Sequence, residues 1–417
     1  MPGSNIGLTE REGEQKVAKA FEGVRIVDFT QVLCGPMATA QLALLGAEVI
    51  KIEQPEVGDQ MRMLSARDHW AETRCSPAFM GVNYGKRSIT LNLKSPEAKE
   101  IVTRLVKGAN VIAENFKPGV LDRLGFGYEW AKSVEPSIVY LSISGFGQTG
   151  PLRGAGAYDG AIQAMSGMMS TTGTPELGPL RAGFPIADMT TGMNAAFALA
   201  SALYRQKATG EGQHLDLAMT DSMLSLMNYS VCRLAVAGDE PELLGNNSPS
   251  FQATSSVFPT KDGHLSIAVF TDVMAARLCD AIGHPEWKNE PMWGTTQGRR
   301  DNFEEIQSAL NDILSQKTTA EWLPIMETEG VPVSPVNTLK EAVYSEQVTQ
   351  RNFLIDLPAP TGIEGTVQLP GTSFIASEDT PGTDRAAPRV GEHTDEILTE
   401  FGFDDTEIAG FHDGGVV

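Results

Sequence analysis

A strand, a helix and a second strand follow one another within residues 24–53, and this order constrains the fold more than any other feature. The apolar run Val24-Arg25-Ile26-Val27-Asp28 is typical of a buried strand. A helix is predicted from 36 to about 45, because Pro36 suits a first turn and Gly46 suits a stop. The segment EVIKIE, 48–53, is the second strand. Strands joined in this way lie parallel, with the helix on one face of the sheet.

The same alternation continues along most of the chain. Further strands are predicted at 88–93, 110–114, 138–143 and 214–218, and further helices at 96–107, 192–204 and 220–235. The segment DEPELLGNNSPS, 239–250, is polar and turn-forming, so a domain boundary is expected near it. A last helix is predicted from about 394 to 401, followed by a Gly-rich tail.

We therefore expect an α/β fold in which a Rossmann-like large domain with a parallel sheet accompanies a smaller α+β domain. The N-terminal part of the large domain spans 22–224, the small domain spans 225–330, and residues 331–417 complete the large domain.

Composition excludes several classes of function. The 417 residues carry a net charge of −21, which argues against a nucleic-acid or anionic-membrane surface. No apolar run reaches membrane-spanning length, and no signal-peptide core is evident at the N-terminus. The four cysteines are widely separated, without metal-ligand or disulfide-framework spacing. The sequence predicts a cytoplasmic protein with no metal and no tightly bound cofactor.

The stretch GFGQTGPLRGAGAYDGAIQAMSGMM, 145–169, follows a predicted strand and carries a carboxylate at a helix start. Gly145, Gly147 and Gly150 form a G-x-G-x-x-G pattern, but Pro151 and more glycines delay the helix. A dinucleotide fingerprint opens its helix at once, so NAD binding is not favoured here. From the local pattern alone, Asp159 is interpreted as a helix N-cap, and a catalytic role is the alternative.

Basic side chains beside predicted strand ends could form a local anion site in this acidic chain. Any one of them alone is better explained as a solvated surface residue. The set comprises Arg62, Lys86, Arg87, Lys117 and Arg123.

Several phrases, spread in order over residues 22–417, together resemble the class III (CaiB/BaiF) CoA-transferases, which include formyl-CoA transferase. They are VRIVDFTQVLCGP, LGAEVIKIEQPEVGDQMR, NYGKRSITLNLKSPEAKEIVTRLV, AENFKPGVLDRLGFGY, SISGFGQTGP, AYDGAIQAMSGMM and RVGEHTDEIL. The resemblance implies an interlocked homodimer that moves CoA from an acyl-CoA thioester to a free carboxylic acid.

The resemblance implies that Asp159 is the nucleophile, which forms an aspartyl-acyl anhydride and then an aspartyl-CoA thioester. A carboxylate is a weak nucleophile, but it can provide the activated acyl intermediate that such an exchange needs. The resemblance also implies contacts of CoA with Val32, Asn115, Phe116 and Arg123, and it implies that Lys86 and Arg87 lie near the phosphates.

The expected substrate pocket contains Gln31, Leu33, Tyr158 and Ser248. Gln31 and Leu33 stand where formyl-CoA transferases have a His and a Gln, and Ser248 stands where many relatives have a His. Formyl-CoA:oxalate exchange is therefore not favoured, and the donor and acceptor acids stay open.

The α-methylacyl-CoA racemases of the same family are the alternative. They use a His directly before the Asp of this motif, and here that residue is Tyr158, which titrates far above neutral pH. Asp188 in PIADMTTG stands at the position of their second catalytic Asp and is interpreted as structural. A CoA-binding protein without turnover is a third possibility, and no sequence feature favours it.

Overall fold

The computed structural model describes residues 18–64 and 69–417. The chain divides into two compact units. The first unit contains residues 18–64, 69–166, 184–228 and 351–417, and the second contains 167–183 and 229–350. The chain therefore leaves the first unit twice and returns to it each time. The domain limits expected from the sequence stay a prediction.

The first unit is built on a six-stranded sheet in which all neighbouring strands are parallel. Its strands are β1 Arg25–Asp28, β2 Glu48–Glu53, β3 Arg87–Thr90, β4 Val111–Glu114, β5 Val139–Ser144 and β8 Gln213–Ala218. Their order in the sheet is β3-β2-β1-β4-β5-β8. Ile26 pairs with Val49 on one side and Val111 on the other. The predicted α/β class and parallel sheet are confirmed. The strand order reverses between β1 and β4, and parallel sheets open a crevice at the carboxyl ends of the strands where their order reverses.

Helices alternate with these strands. Before its C-terminal segment, the first unit has the helices α1 Cys34–Leu44, α2 His69–Thr73, α3 Pro77–Asn83, α4 Ala98–Val106, α5 Val120–Leu124, α6 Tyr128–Val134, α7 Asp159–Met165, α8 Ile186–Thr209 and α9 Met219–Leu226. Helix α10, Asn228–Ala237, begins at the last residue of this part and otherwise belongs to the second unit. The apolar spacing in α4 buries Ile101 and Leu105 completely or nearly so against the sheet core.

The second unit combines helices with small antiparallel sheets. Its strands are β6 Gly173–Thr174, β7 Gly178–Pro179, β9 Ser255–Pro259, β10 His264–Ala268 and β11 Val333–Pro335. Its remaining helices are α11 Asp272–Ala281, α12 Pro291–Gly294, α13 Thr296–Asp301, α14 Phe303–Leu314, α15 Thr319–Thr328, α16 Leu339–Val343 and α17 Glu346–Gln350. Trp293 and Trp322 are its largest fully buried side chains and belong to one apolar core.

The C-terminal segment adds a hairpin and two helices to the first unit. They are β12 Leu354–Pro358, β13 Thr366–Pro370, α18 Thr394–Glu400 and α19 Asp405–Asp413. Helix α19 was not expected in the Gly-rich tail, where Asp404 and Glu407 form a capping box at its start.

Two helices differ from their predicted limits. The helix expected at 220–235 is divided into α9 and α10 at Met227. Helix α8 begins at Ile186 instead of 192 and extends for 24 residues.

No helix in the described part of the chain is long and apolar enough to cross a membrane. Residues 1–17, where no signal peptide is expected, lie outside that part. The cytoplasmic location expected from the sequence stays a prediction.

Helices α1 and α8 pack closely where α8 has a glycine. A Cβ atom on Gly192 would lie 2.8 Å from the Cys34 carbonyl oxygen and from Met37 Cβ. We expect Gly192→Ala to force the helices apart and to destabilise the protein by about 1–3 kcal/mol. The measurement is the thermal unfolding midpoint.

The matched control is Gly410→Ala in α19, where an added Cβ meets no atom within 4 Å. That change replaces a helix glycine by a better helix former and is expected to raise stability by about 0.5–1 kcal/mol. Equal midpoints for the two variants would contradict the close approach of α1 and α8.

Candidate active site

A cavity of about 340 Å³ lies at the carboxyl edge of the parallel sheet. The loops that follow β1, β4 and β5 supply much of its wall, together with the start of α8. Among its lining residues, those with polar or charged side chains are Gln31, Cys34, Gln60, Asn115, Lys117, Ser144, Tyr158 and Asp188. An open parallel sheet binds ligands at this edge, so the cavity is the natural candidate site.

Asp159 is held firmly next to this cavity. Gln163 Nε2 donates to Asp159 Oδ1 over 2.6 Å, and the N–H of Ala187 donates to Asp159 Oδ2 over 2.8 Å. The N–H of Asp188 approaches the same Oδ2 at 3.3 Å. Asp159 is 8% exposed and is not among the residues that line the cavity. Its carboxylate therefore binds the N-terminal turn of α8.

The interpretation of Asp159 as an N-cap is wrong. Tyr158 occupies the N-cap position of α7, and Asp159 is the first residue of the helix. Tyr158 is 73% exposed and lines the cavity. Helix α7 begins well after Gly150, so the G-x-G-x-x-G loop does not open a helix as a dinucleotide site requires.

Among the described residues that line the cavity, Asp188 is the one with an acidic side chain. It is the third residue of α8, close to the positive end of a long helix dipole. Burial and the neighbouring Asp159 carboxylate raise the pKa of Asp188 to about 6. The Cys34 thiol donates a hydrogen bond to Asp188, and burial followed by this carboxylate raises the pKa of Cys34 to about 12. Asp188 thus lies on the cavity wall with a pKa above the usual range of an aspartate.

Helix α8 was expected to begin at 192, so the sequence analysis did not predict that Asp188 lies at the start of a helix. With the helix starting at Ile186, the motif PIADMTTG puts an Asp in the first turn. An Asp that follows a Pro at a helix start was the signal that could have identified it.

The turn between β1 and α1 forms another part of the wall. Gln31, which was predicted for the substrate pocket, and Val32, which was predicted to contact CoA, both line the cavity. Asn115 holds Gln31 at both backbone groups, accepting from its N–H over 2.8 Å and donating to its C=O over 2.7 Å. Leu33 instead packs against an apolar core cluster and does not line the cavity.

A second cavity, of about 990 Å³, lies along the carboxyl ends of β1, β2 and β3. The two cavities share Gln31 and Phe116, and the larger one is also lined by the basic residues Arg74 and Lys94. The N–H of Phe116 donates to Glu114 over 2.8 Å, and burial raises the pKa of Glu114 to about 7. This backbone contact orients the Asn115-Phe116 segment between the cavities.

Lys86 and Arg87 are used inside the protein. The buried Lys86 ammonium donates to Asp28, to the Pro36 carbonyl and to Asn83, each over 3.0 Å. Arg87 pairs with Glu48, Glu396 and Glu400. Because these partners occupy their donors, we correct the expectation that Lys86 and Arg87 lie near CoA phosphates.

The two other expected site residues are not brought into the cavity wall. Arg123 is exposed on α5, and its contact with CoA stays a prediction. Ser248 lies in the second unit, where its Oγ is 2.9 Å from Ser250 Oγ. Its substrate role also stays a prediction. Within residues 18–64 and 69–417, no group of three or more His, Cys, Asp or Glu side chains is arranged to hold a metal ion.

Comparison with known proteins gives a consistent result. Residues 21–394 match the model of CoA-transferase family III. The acetyl-CoA:oxalate CoA-transferase of Acetobacter aceti is 38% identical over 385 residues, which cover 91% of this chain and 95% of that protein. The succinate–glutarate CoA-transferase of Agrobacterium fabrum is 36% identical over 387 residues, with coverages of 91% and 95%.

A solved structure is also similar. The crystal structure of a CaiB/BaiF family protein from Brucella suis has a TM-score of 0.83 and 33% sequence identity, and the match covers 92% of this chain and all of that one. The family match extends over most of the chain, and the relatives align over nearly their whole length. The chain therefore belongs to CoA-transferase family III and is an acyl-CoA:carboxylate CoA-transferase.

Proposed function

We propose that the enzyme transfers CoA through covalent aspartyl intermediates in the small cavity, and that Asp188 is the nucleophile. The observation that carries this assignment is the contrast between the two carboxylates. Asp188 lines the cavity, whereas both oxygens of Asp159 accept hydrogen bonds from Gln163 and from the first turn of α8. The sequence favoured Asp159, so we reassign the nucleophile and give Asp159 a positioning role.

In the first half-reaction, a carboxylate oxygen of Asp188 attacks the thioester carbonyl carbon. The carbon–oxygen bond forms, the carbon–sulfur bond breaks, and CoA leaves as a thiolate. The thiolate then attacks the Asp188 carbonyl carbon of the anhydride, which releases the first acid as a carboxylate and leaves an aspartyl-CoA thioester. Such covalent steps divide one difficult exchange into easier ones.

The second half-reaction reverses this order with the acceptor. Its carboxylate attacks the aspartyl-CoA carbonyl carbon and displaces the thiolate, which then attacks the acceptor acyl carbon and regenerates Asp188. No water is consumed and no net proton moves. Because water would hydrolyse the anhydride, the site has to exclude it. The N-terminal end of α8 favours the ionised form of Asp188, which each cycle requires.

The two cavities suit the two ends of CoA. We propose that the thioester lies in the small cavity and the nucleotide half in the large one, passing Gln31 and Phe116. Arg74 and Lys94 are basic residues that line the large cavity, and their charge is suited to the phosphates. The predicted contacts of Val32 and Asn115 with CoA agree with their places on the small cavity wall.

Trapping the intermediate tests the nucleophile. We expect incubation with succinyl-CoA and then hydroxylamine to give a hydroxamate at Asp188, located by peptide mass spectrometry. Asp188→Asn should abolish the adduct. Asp159→Asn keeps the shape of the positioning side chain, so the adduct should stay at Asp188 in reduced amount.

A hydroxamate at Asp159 that persists in Asp188→Asn would restore the assignment made from the sequence. Exchange of the α-proton of a branched acyl-CoA with deuterated water, without any adduct, would favour the racemase alternative.

We propose that the acceptor is a dicarboxylic acid. The relatives are named for oxalate and for succinate and glutarate. Lys117 is the one basic side chain among the described residues that line the small cavity. One carboxylate of the acceptor reacts at Asp188, and a second one would need a cation to offset the negative charge already present.

Lys117→Met tests this substrate class. We expect it to raise the KM for glutarate roughly tenfold, because a charge-assisted hydrogen bond is lost. The KM for pentanoate, which has the same chain length and one carboxylate, should change little. Lys132→Met removes a positive charge from an exposed position on α6 and is the control for the loss of charge. Equal effects on both acids would contradict the proposed acceptor.

We also propose the interlocked homodimer implied by the family resemblance. Helix α8 exposes Met193, Phe197 and Tyr204 on one face, at 44%, 75% and 78% of their surface. A row of large exposed apolar side chains on one helix is suited to a protein interface. A second copy of this chain is the occupant we propose for this face.

The mass of the protein in solution tests the dimer. Light scattering should give twice the mass of one chain. We expect Phe197→Glu to weaken the dimer, because it puts a charge into an apolar contact. Tyr344→Glu changes another exposed aromatic residue, in the second unit, and should leave the mass unchanged. A single-chain mass for the unaltered protein would contradict the proposal.

A further inference from the structure

The turn that joins β1 to α1 has an unusual backbone conformation at the cavity wall. Val32 has φ = 66°. β-Branched residues rarely adopt this left-handed conformation, and surrounding contacts have to hold them there. Because Val32 and Gln31 line the small cavity, the conformation of this turn determines the shape of its wall.

Two buried side chains form hydrogen bonds with the backbone of this turn. The N–H of Val32 donates to Asp59 Oδ1 over 3.1 Å. Lys51 Nζ donates to the Thr30 carbonyl oxygen over 2.7 Å. The turn is thus fixed on both sides of Gln31 by residues of β2 and of the loop after it.

Lys51 and Asp59 also pair with each other. Lys51 Nζ lies 2.9 Å from Asp59 Oδ2, and both side chains are completely buried. Asp59 is fixed in addition by the Met61 N–H at 2.9 Å and by its own N–H, which donates to Glu53 over 2.8 Å. Neither Lys51 nor Asp59 lines either cavity.

A buried ion pair gives little net stability, because both ions lose their hydration. A contribution to the stability of the fold is therefore a weak reason for the presence of this pair. Its contacts with the strained turn supply a stronger one, since each ion also holds a backbone group of the cavity wall.

We propose that Asp59 and Lys51 are positioning residues for CoA transfer, which act by holding Val32 and Thr30 in the strained turn. This inference rests on the proposed function in one respect, namely that the small cavity is the place of reaction. Supporting residues behind a reacting group commonly change activity by one or two orders of magnitude.

A double-mutant cycle between Asp59 and Val32 tests the proposal. Asp59→Asn is isosteric but loses the charge that strengthens the bond to the Val32 N–H. We expect it to lower kcat for CoA transfer roughly tenfold, as expected of a supporting residue. In the V32G background the loss should be less than about threefold, because glycine adopts a positive φ without being held.

The outcomes of this test separate the positioning role from the proposed function. Equal losses in both backgrounds, or an unchanged kcat in Asp59→Asn, would overturn the positioning role. An unchanged kcat in Asp188→Asn would instead contradict the proposed function, because Asp188 is the acidic residue proposed to react in the small cavity. Arg299→Met, which removes a buried cation of the second unit, should lower thermal stability and leave kcat and KM unchanged.

Folding of Asp59→Asn is favoured because Asp28 and Glu53 still interact with the Lys51 ammonium. If it does not fold, the variant carrying both Lys51→Met and Asp59→Asn replaces it in the same cycle. That variant removes both charges together and leaves no unpaired ion.

Discussion

The contact between the Asp159 carboxylate and the start of α8 is the interaction on which the site depends. One carboxylate oxygen accepts from the Ala187 N–H, and the Asp188 N–H lies close to it. This contact ties the start of α7 to the start of α8, and it fixes the turn from which Asp188 enters the cavity. Two acidic residues thus have different surroundings, one bound by donors and one facing the cavity, and environment is what separates the roles of paired carboxylates.

The sheet could be predicted well from the sequence, and the site only in part. The run EVIKIE identifies a strand through Val49, Ile50 and Ile52, which are buried in the parallel sheet. The burial of its Lys51 and Glu53 could not be predicted from this composition. The start of α8 was missed because the Ala-rich apolar spacing from which the helix was predicted begins only after Gly192. Asp188 was interpreted as structural because transferases that the chain resembles often keep an Asp at this position, and the resemblance gave the catalytic role to Asp159.

The basic residues show a second limit of sequence reasoning. Lys86 and Arg87 stand beside a strand, as phosphate ligands often do, yet their partners include Asp28 and Glu396, which are distant in the sequence. Burial lowers the pKa of Lys86 to about 8, and Asp28 opposes this effect. Pairing between distant segments depends on the tertiary fold, so local sequence does not distinguish a buried ion pair from a ligand-binding cation.

In the proposed mechanism a carboxylate reacts and a thiol does not, and the chemistry of the cavity accounts for this difference. Cys34 is a wall residue and a stronger intrinsic nucleophile than Asp188, but only its thiolate attacks. With its pKa raised to about 12, Cys34 stays protonated and donates to Asp188. An acyl group on Cys34 would be a thioester no more activated than the substrate, whereas an aspartyl anhydride is more reactive toward CoA thiolate. The helix dipole at the start of α8 favours the ionised carboxylate and opposes the effect of burial on the pKa of Asp188, while burial keeps the competing thiol neutral.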